Sequence, residues 1–594
     1  MTPVNINNAE KGYAREMMGS HQSKTFSLLP LFVILIVSFA VYFNALFNEF
    51  VYDDLPSIID NPWIKDIKYL PKIFSSQLAG FNAGYATSYY RPLIHVIYML
   101  DYAVFGLNPW GFHLVNILFH TGASILLFFI TSKLLSGPPL FPSARMLSPA
   151  LLVALLFATH PIHTEAVTWI AGIMDVSCAF FLLLSLFLYM RSETGGKYNY
   201  YLSIAFFFLS TLCKEPALTL PFILIAYDYV YEKIDFHLPR HFLRYLPYIV
   251  VMGIYFALRL NALGAFAPSK TNINLNAYQY VINIVPLFAQ YLVKLILPFN
   301  LSLIYIFHPL TSFFELREIV SLVFVLGIIF LAYRARKDKA IFFSLFLMIL
   351  PLLPAFYIKS IAGESVFAER YLYLPSAGFA IIVGLLISRI RLSVSYQNTV
   401  LAIVFFMLIV SFSAGTLLRN RVWKNSYTLW TDTVKKNPDS AVAHKYLGFA
   451  LYANGKLDDA IDQYKTALDL KFTDKETHLN LGAAYDLKGW TEQAIVHYQA
   501  VIMLDPAYSS AYTNLGGAYL KTGLIDKAIE HFQIAIKLRP DEAAAYSGLG
   551  IAYARRGLID EAIKSFGTAL RLDPDNRDYY DHLMKAYELR KLSK

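Results

Sequence analysis

Long apolar stretches separated by short polar segments dominate the first 420 residues. A membrane-spanning helix needs about 20 mainly apolar residues, and such runs lie near residues 26–45, 112–131, 148–160, 167–190, 199–213, 216–231, 245–260, 318–333, 340–357, 372–388 and 399–418. This pattern predicts an all-α, polytopic helix bundle with about 11 spans. A further apolar stretch at 278–297 contains Pro286, and we predict a surface or re-entrant element there.

Lys and Arg between the apolar runs predict the orientation, because cytoplasmic loops carry an excess of them. With residues 1–25 inside, most basic clusters fall on the cytoplasmic side, including Arg334, Arg336, Lys337 and Lys339, whereas Arg419 and Arg421 fall outside, against the rule. The opposite face then collects four polar segments, at residues 50–62, 160–165, 213–216 and 362–371. Titratable residues gathered at one membrane face predict a functional site there.

The polar start of the chain, residues 1–25, has the character of a signal-peptide n-region. The apolar run that follows it is long and no convincing cleavage site is seen. We therefore predict a cytoplasmic segment followed by an uncleaved first helix.

Beyond about residue 421 the chain repeats itself with a period of 34 residues. Leu-Gly pairs, an alanine and an aromatic residue recur at this spacing, with glycines at Gly448, Gly482, Gly516 and Gly550. This period is typical of tetratricopeptide repeats, which are stacked helix pairs. We predict a membrane domain over 26–420 and a domain of four full repeats plus a capping helix over 421–594, on the extracytoplasmic side.

The composition excludes a soluble enzyme, since 56% of the residues are hydrophobic and only 16% are charged. The net charge of +9 does not indicate nucleic-acid binding, because many basic residues sit in short loops where they set topology. The two cysteines, Cys178 and Cys213, form no metal-binding or disulfide motif.

Two adjacent carboxylates, Asp53 and Asp54, follow the first apolar run. Buried charge is costly in a membrane, so we expect the pair at the water–lipid boundary. An ionised carboxylate there could accept a proton from an acceptor hydroxyl. It could also hold a divalent cation or cap a short helix.

The other polar segments supply further candidate site residues. Pro161 interrupts the helix between His160 and His163, which disfavours zinc and favours a polar turn beside a pocket. Lys214 and Glu215 form either an ion pair at a helix start or part of that pocket. The remaining pocket candidates are Glu165 and Tyr90.

Arg91 and Arg370 lie outside in this topology, where positive charge is not favoured. Their forked donors suit a phosphate group, although interfacial snorkelling is the alternative. Arg370 could also pair with Glu364 or Glu369 and only hold its loop. In the repeats, Asn480 and Asn514 share one position, where asparagine can bind a peptide backbone, although repeat consensus also explains them.

These motifs together resemble the transmembrane and tetratricopeptide-repeat-containing O-mannosyltransferases and their prokaryotic relatives, within the C-type glycosyltransferases. The resemblance is carried by the segment ending in Asp53–Asp54, by Asn61-Pro62, by Tyr90-Arg91-Pro92-Leu93, by the octapeptide at 160–167, by Lys214-Glu215 and by the repeats. The octapeptide and the early acidic pair are fairly specific, whereas the repeats occur on many unrelated proteins.

The resemblance implies an integral membrane enzyme that transfers a sugar, mannose in that family, from a polyprenyl-phosphate donor. Asp53 takes the position of the family's catalytic base, and Asp54 the neighbouring position. Arg91, Arg370 and Lys214 could supply positive charge for the phosphate, with His160, His163, Glu165, Glu215 and Tyr90 in the pocket. The repeats would bind a protein acceptor. The membrane would be the plasma or inner membrane of a prokaryote, or the endoplasmic reticulum of a eukaryote.

Two other functions remain open from the sequence. One is a non-catalytic membrane scaffold that displays repeats to partner proteins, in which Asp53 is dispensable. The other is a polymerase or ligase of surface polysaccharide, which we expect to carry essential Arg and His residues in a large later external loop. The longest such loop, residues 261–278, is poor in both.

Overall fold

The computed structural model describes residues 28–81, 89–135, 148–233, 239–264, 275–357, 364–390 and 397–592. Within these ranges the chain is helical, without strands apart from one isolated bridge between Ile306 and Ser365. The predicted cytoplasmic segment 1–25 lies outside the described residues. The all-α fold class expected from the sequence is confirmed.

Fifteen α-helices build the described part of the membrane region. They are α1 (Leu29–Tyr42), α2 (Leu70–Ser75), α3 (Pro92–Phe105), α4 (Pro109–Leu134), α5 (Pro149–Thr159), α6 (Thr164–Thr168), α7 (Ile173–Gly195), α8 (Lys197–Thr211), α9 (Leu220–Val230), α10 (Leu246–Leu263), α11 (Ala277–Ile296), α12 (Leu316–Ala335), α13 (Lys339–Ile349), α14 (Pro375–Ser388) and α15 (Gln397–Asn420). Helices α4 and α7 pack at the centre of the largest hydrophobic cluster.

Two of these helices, α4 and α5, begin on a proline preceded by a capping side chain. Asn108 accepts a hydrogen bond from the backbone N–H of Trp110 at the start of α4, and Ser148 accepts one from Leu151 at the start of α5. Proline suits the first helical position because its missing N–H has no intrahelical partner there. These local signals fix where the apolar runs become helical.

Eight helical segments in the described residues are long and apolar enough to cross a membrane: Leu29–Phe47, Pro109–Leu134, Ile170–Glu193, Phe242–Leu263, Ala277–Ile296, Leu316–Ala335, Lys339–Phe356 and Thr399–Lys424. A pair bent by 47°, Pro149–Thr159 and Pro161–Thr168, makes a ninth if it counts as one span. The chain is thus a multi-pass membrane protein, and the count of eleven crossings stays a prediction.

Two helices differ from the expected pattern. Helix α3 is apolar but only 14 residues long, and the sequence pattern did not predict it as a span. Helix α11 runs for 20 residues through Pro286 without a break. Proline removes one backbone hydrogen bond, but α11 begins on a capping box at Asn276 and buries Leu287, Tyr291 and Leu295 along one side.

Ten helices form the C-terminal solenoid. They are α16 (Ser426–Lys436), α17 (Ala441–Ala453), α18 (Leu457–Leu470), α19 (Lys475–Leu487), α20 (Thr491–Leu504), α21 (Ser509–Lys521), α22 (Ile525–Leu538), α23 (Ala543–Arg555), α24 (Ile559–Leu572) and α25 (Arg577–Leu592). Consecutive helices pack as antiparallel pairs, as the 34-residue period predicts.

The glycine of each Leu-Gly pair permits close contact between the two helices of a repeat. A Cβ atom on Gly448 would lie 2.7 Å from the ring of Tyr464, and one on Gly482 would lie 2.6 Å from Tyr498. Gly516 and Gly550 meet Phe532 and Phe566 in the same way. The repeating glycine and aromatic residue are therefore one packing device.

The solenoid packs directly against the membrane region. One hydrophobic cluster contains Val51 and Trp169 from the membrane region together with Trp423, Trp430 and Leu447 from the start of the solenoid. The segment that carries Asp53 and Asp54 consequently lies between the two parts of the chain.

Candidate functional site

The loop after α1 carries the two predicted carboxylates and is tied to the end of the last membrane helix. The backbone N–H of Glu49 donates to the carbonyl of Lys424 over 2.9 Å. The side-chain amide of Asn48 donates to the carbonyl of Asn420 over 3.2 Å. These bonds hold the loop beside the residues that lead into the solenoid.

Asp54 is a fully buried structural residue. Its carboxylate accepts one hydrogen bond from the backbone N–H of Val51, at 3.0 Å, and another from Ala171, at 2.8 Å. Burial raises the pKa of Asp54 well above its ordinary value, and the two backbone donors oppose the rise. Asp54 therefore fastens the loop to the segment before α7.

Asp53 is placed differently from its neighbour. Its side chain reaches the surface, and no described residue forms a hydrogen bond with its carboxylate. Surrounding protein removes much of its water and raises the pKa of Asp53 to about 6, while the positive charge of Arg370 opposes the rise. The carboxylate is thus available for an incoming proton donor.

Tyr52, just before Asp53, has a backbone φ of 54°. Such a left-handed conformation costs a residue with a bulky side chain about 1–3 kcal/mol, and it persists only where the surroundings hold it. The ring of Tyr52 stacks on Trp169 with centroids 5.8 Å apart. It also meets Trp430 and Tyr446 edge-on, each at 5.3 Å.

A cavity of about 290 Å³ opens near this loop. Its charged lining residues are Arg91, Asp175, Lys214, Glu215, Arg259 and Arg370. Prolines, aromatic and aliphatic side chains complete the wall, among them Tyr89, Leu218, Phe256, Pro351, Tyr371 and Leu374. The lining has four cations and two carboxylates, and a third carboxylate, that of Glu165, pairs with Arg370 from outside the lining. A surplus of one positive charge remains, which suits an anionic ligand with an apolar portion.

Ion pairs hold the cationic side chains of the cavity in place. Arg91 and Arg259 both bind the carboxylate of Glu215, at 2.7 Å and 3.2 Å. Lys214 binds Asp175 at 2.6 Å. Burial by itself would raise the pKa of Glu215, but Arg91 and Arg259 hold it at about 2, so Glu215 stays ionised. Burial lowers the pKa of Lys214 despite the opposing effect of Asp175.

Arg370 joins the cavity to the Asp53 loop. Its guanidinium group pairs with the buried carboxylate of Glu165, and its backbone N–H donates to the same carboxylate at 2.9 Å. The guanidinium carbon also lies 5.5 Å from the ring centre of Trp169, which stacks on Tyr52. Glu165 therefore holds Arg370 without lining the cavity itself.

The alternative prediction, that Arg370 pairs with Glu364 or Glu369, was wrong, since its partner is Glu165. Glu364 accepts hydrogen bonds from the hydroxyl of Ser440 at 2.5 Å and the backbone N–H of Val442 at 3.3 Å. Glu369 accepts hydrogen bonds from the hydroxyl of Tyr305, at 2.5 Å, and from the backbone N–H of Ser302. Both carboxylates therefore bind other segments of the chain, although they are close to Arg370 in sequence.

The histidine turn is buried beside the cavity and is not part of its described lining. His160 bonds the carbonyl of Leu295 at 3.0 Å, and His163 bonds the hydroxyl of Ser376 at 2.6 Å. Tyr90 is likewise buried and donates to the carbonyl of Phe74 at 2.8 Å. These three residues hold helices together around the site. Among the described residues, no group of three or more His, Cys, Asp or Glu could hold a metal ion.

In the solenoid, Asn480 and Asn514 are half-buried, and neither side chain hydrogen-bonds to another described residue. The two residues are 34 positions apart, so they occupy the same position in successive repeats. Their amides are available to a bound peptide.

The sequence analysis missed three residues of this site. Asp175 is an acid in the first turn of an apolar helix, and Arg259 is a cation within another. Charged residues in such positions are functional candidates by default, so the signal was present in the sequence. Trp169 carried no such signal, because its importance comes from contacts with Arg370 and Tyr52.

Comparisons with known proteins agree with the repeat assignment. The family described as Tetratricopeptide repeat matches residues 513–577, and the TPR repeat family matches residues 448–489 and 487–523. A solved structure of MamA is 32% identical to this chain; it covers 25% of this chain and 86% of its own length, with a TM-score of 0.24.

Longer relatives match most of the chain. Protein O-mannosyl-transferase F38B6.6 of Caenorhabditis elegans is 30% identical over 455 residues, which is 74% of this chain and 62% of that protein. Protein O-mannosyl-transferase TMTC3 of Mus musculus is 28% identical over 492 residues, 75% of this chain and 52% of its own length. This chain thus spans about half to three fifths of these relatives. The resemblance that the sequence motifs predicted is confirmed.

Proposed function

We propose that this chain, which resembles the protein O-mannosyl-transferases over about three quarters of its length, is a membrane glycosyltransferase. It transfers a sugar, mannose by analogy with the names of its relatives, from a polyprenyl-phosphate carrier to a hydroxyl group on the extracytoplasmic side. The observation that carries this proposal is the cavity with surplus positive charge, linked through Arg370 to the available carboxylate of Asp53.

The proposed reaction is a single displacement at the anomeric carbon. Asp53 accepts the proton of the acceptor hydroxyl as its oxygen bonds to the sugar, and the bond from the sugar to the phosphate breaks. The phosphate leaves with the electron pair, so its negative charge grows by one. Arg91, Arg259, Lys214 and Arg370 are fixed beforehand and could stabilise that charge as it develops.

The lining of the cavity supports a lipid-linked donor. A phosphate would meet the cations, while a prenyl chain would lie against apolar residues such as Leu218, Phe256 and Leu374. The protein acceptor would bind along the repeats, where Asn480 and Asn514 could hold its backbone. A divalent cation at Asp53 is the alternative to proton transfer, and adding a chelator to the transfer assay separates the two.

The raised pKa of Asp53 predicts how transfer depends on pH. A base must be deprotonated to accept a proton, so activity should rise as pH increases through about 6 and reach a plateau above it. The dependence of kcat/KM on pH, measured from pH 3 to 8, tests this, because kcat/KM reports the pKa of the free protein. An acid limb centred near the ordinary aspartate value, about 3.9, would contradict the proposed environment of Asp53.

The predicted topology, with the repeats outside and Lys337 inside, predicts which residues a reagent labels in intact cells. The native cysteines, Cys178 and Cys213, are buried, so single cysteines at exposed Lys337 and Lys471 can be compared directly. A membrane-impermeant thiol reagent should label Lys471→Cys in intact cells and leave Lys337→Cys unlabelled until the membrane is opened. Labelling of Lys337→Cys from outside would overturn the predicted topology.

A further inference from the structure

The ring of Tyr52 is enclosed by both parts of the chain. Trp169 of the membrane region stacks on one side, with planes inclined by 30°. Trp430 and Tyr446 of the solenoid meet the ring at nearly right angles, 80° and 87°. Trp430 and Tyr446 are themselves stacked, with centroids 4.7 Å apart. We call Tyr52, Trp169, Trp430 and Tyr446 the aromatic clamp.

Hydrogen bonds beside the aromatic clamp join the same two parts. Lys436 donates to the carbonyl of Leu301 at 2.6 Å, and the side chain of Asn437 donates to the hydroxyl oxygen of Ser302 at 2.9 Å. Ser440 donates to Glu364, which precedes the Arg370 segment by a few residues. The first solenoid helices thus bind two segments of the membrane region, one at Leu301 and Ser302 and one at Glu364.

The backbone of Tyr52 shows why such a clamp is needed. A left-handed conformation at a non-glycine residue persists only where contacts over-determine it, and it occurs preferentially at functional sites. Asp53 is the next residue, and its carboxylate has no hydrogen bond from a described residue to fix it. The position of Asp53 consequently depends on how firmly Tyr52 is held.

The repeat register gives a second, independent indication. Tyr446 precedes Asn480 by 34 residues and Asn514 by 68, so it occupies their position in the first repeat. At that position the first repeat presents an aromatic ring to Tyr52. The surface that carries the two asparagines therefore begins at the Asp53 loop.

We propose that the first solenoid helices position the catalytic carboxylate, with Tyr52, Trp430 and Tyr446 as positioning residues for Asp53. The solenoid is then part of the catalytic unit as well as an acceptor-binding surface. This inference rests on the proposed function, since it requires that Asp53 act as the base.

The test compares Tyr446→Ala with Tyr446→Phe in the full-length protein. A misplacement of about 1 Å costs about 100-fold in rate, so we expect Tyr446→Ala to lower kcat by about that factor. The KM for the lipid donor should not change. The acid limb of the pH profile should also move below the wild-type value, because a released loop exposes Asp53 to water. Tyr446→Phe keeps the ring and should recover most of kcat.

Tyr512→Ala is the matched control for general destabilisation. It removes a half-buried tyrosine of the third repeat, whose hydroxyl donates to the carbonyl of Pro506 and whose ring lies 6.1 Å from that of His531. We expect wild-type kcat and an unshifted pH profile. If Tyr446→Ala does not fold, Tyr52→Ala replaces it, because alanine removes the clamped ring while its Cβ atom keeps the cost of the left-handed conformation. The same losses are expected.

Asp53→Asn, assayed in parallel, separates this inference from the proposed function. If Asp53→Asn is inactive while Tyr446→Ala or Tyr52→Ala keeps wild-type kcat and pH dependence, the positioning role is overturned and the proposed function stands. If Asp53→Asn transfers sugar at the wild-type rate, the proposed function fails, and the inference fails with it.

Discussion

Asp53→Asn should reduce sugar transfer by about 10²- to 10⁴-fold, which is the usual contribution of a general base. Asparagine has nearly the same shape but cannot accept the proton. Because no described residue forms a hydrogen bond with the Asp53 carboxylate, the melting temperature should stay close to that of the wild type. The measurement is the initial rate under saturating substrates, with a melting curve and a donor-binding assay beside it.

Asp54→Asn is the control for that variant. The buried Asp54 carboxylate accepts two backbone hydrogen bonds, and an amide can replace only one of its oxygens. An unsatisfied buried group costs about 1–3 kcal/mol, so Asp54→Asn should lower the melting temperature. If instead Asp54→Asn abolished transfer without loss of stability while Asp53→Asn stayed active, the roles assigned to the two carboxylates would be reversed.

Arg370→Ala should raise the KM for the lipid donor by about 10- to 100-fold, since a charge-assisted hydrogen bond is worth about 1.5–3 kcal/mol. The KM for the acceptor should change much less. The same substitution leaves the carboxylate of Glu165 buried and unpaired. Breaking a buried pair in this way costs about 3–5 kcal/mol of stability, so the melting temperature should fall as well. Arg370→Lys should recover only part of the donor affinity, because lysine lacks the forked geometry.

The double variant Arg370→Ala, Glu165→Gln separates the two effects. Glutamine removes the unpaired charge, so most of the lost stability should return. The KM for the donor should remain raised, because the cation that binds the phosphate is still missing. Recovery of donor affinity together with stability would show that Arg370 only holds its loop.

The packing of the repeats could be predicted from the sequence. The Gly448 backbone packs against the ring of Tyr464, and the period of 34 residues places the same glycine–aromatic contact in each following repeat. Spacing within one repeat therefore determines how its two helices pack. The apolar runs likewise predicted most membrane helices. Helix α3 was missed because it is short. Residues 278–297 were predicted to form a surface or re-entrant element because of Pro286, whereas α11 is continuous there, since its capping box and its packing stabilise it despite the proline.

The sequence could not predict that Asp54 is held by backbone hydrogen bonds while the carboxylate of Asp53 has no such bond. It depends on the backbone N–H of Ala171, which is 117 residues away in the chain. The aromatic clamp could not be predicted either, because Tyr52 contacts Trp430 and Tyr446, which follow the whole membrane region in the sequence. Sequence motifs identified which residues carry charge at one face, while contacts distant in sequence decide which of them are paired.

The central claim is most directly tested by the rate at which the purified chain transfers radiolabelled mannose to an acceptor peptide. Mannose linked to polyprenyl phosphate and mannose linked to a nucleotide are supplied in separate reactions, each with wild type and Asp53→Asn. We predict transfer from the lipid-linked sugar by the wild type, none from the nucleotide sugar, and a loss of at least about 100-fold in Asp53→Asn. Transfer from the nucleotide sugar, or equal rates for the two proteins with the lipid donor, would contradict the account.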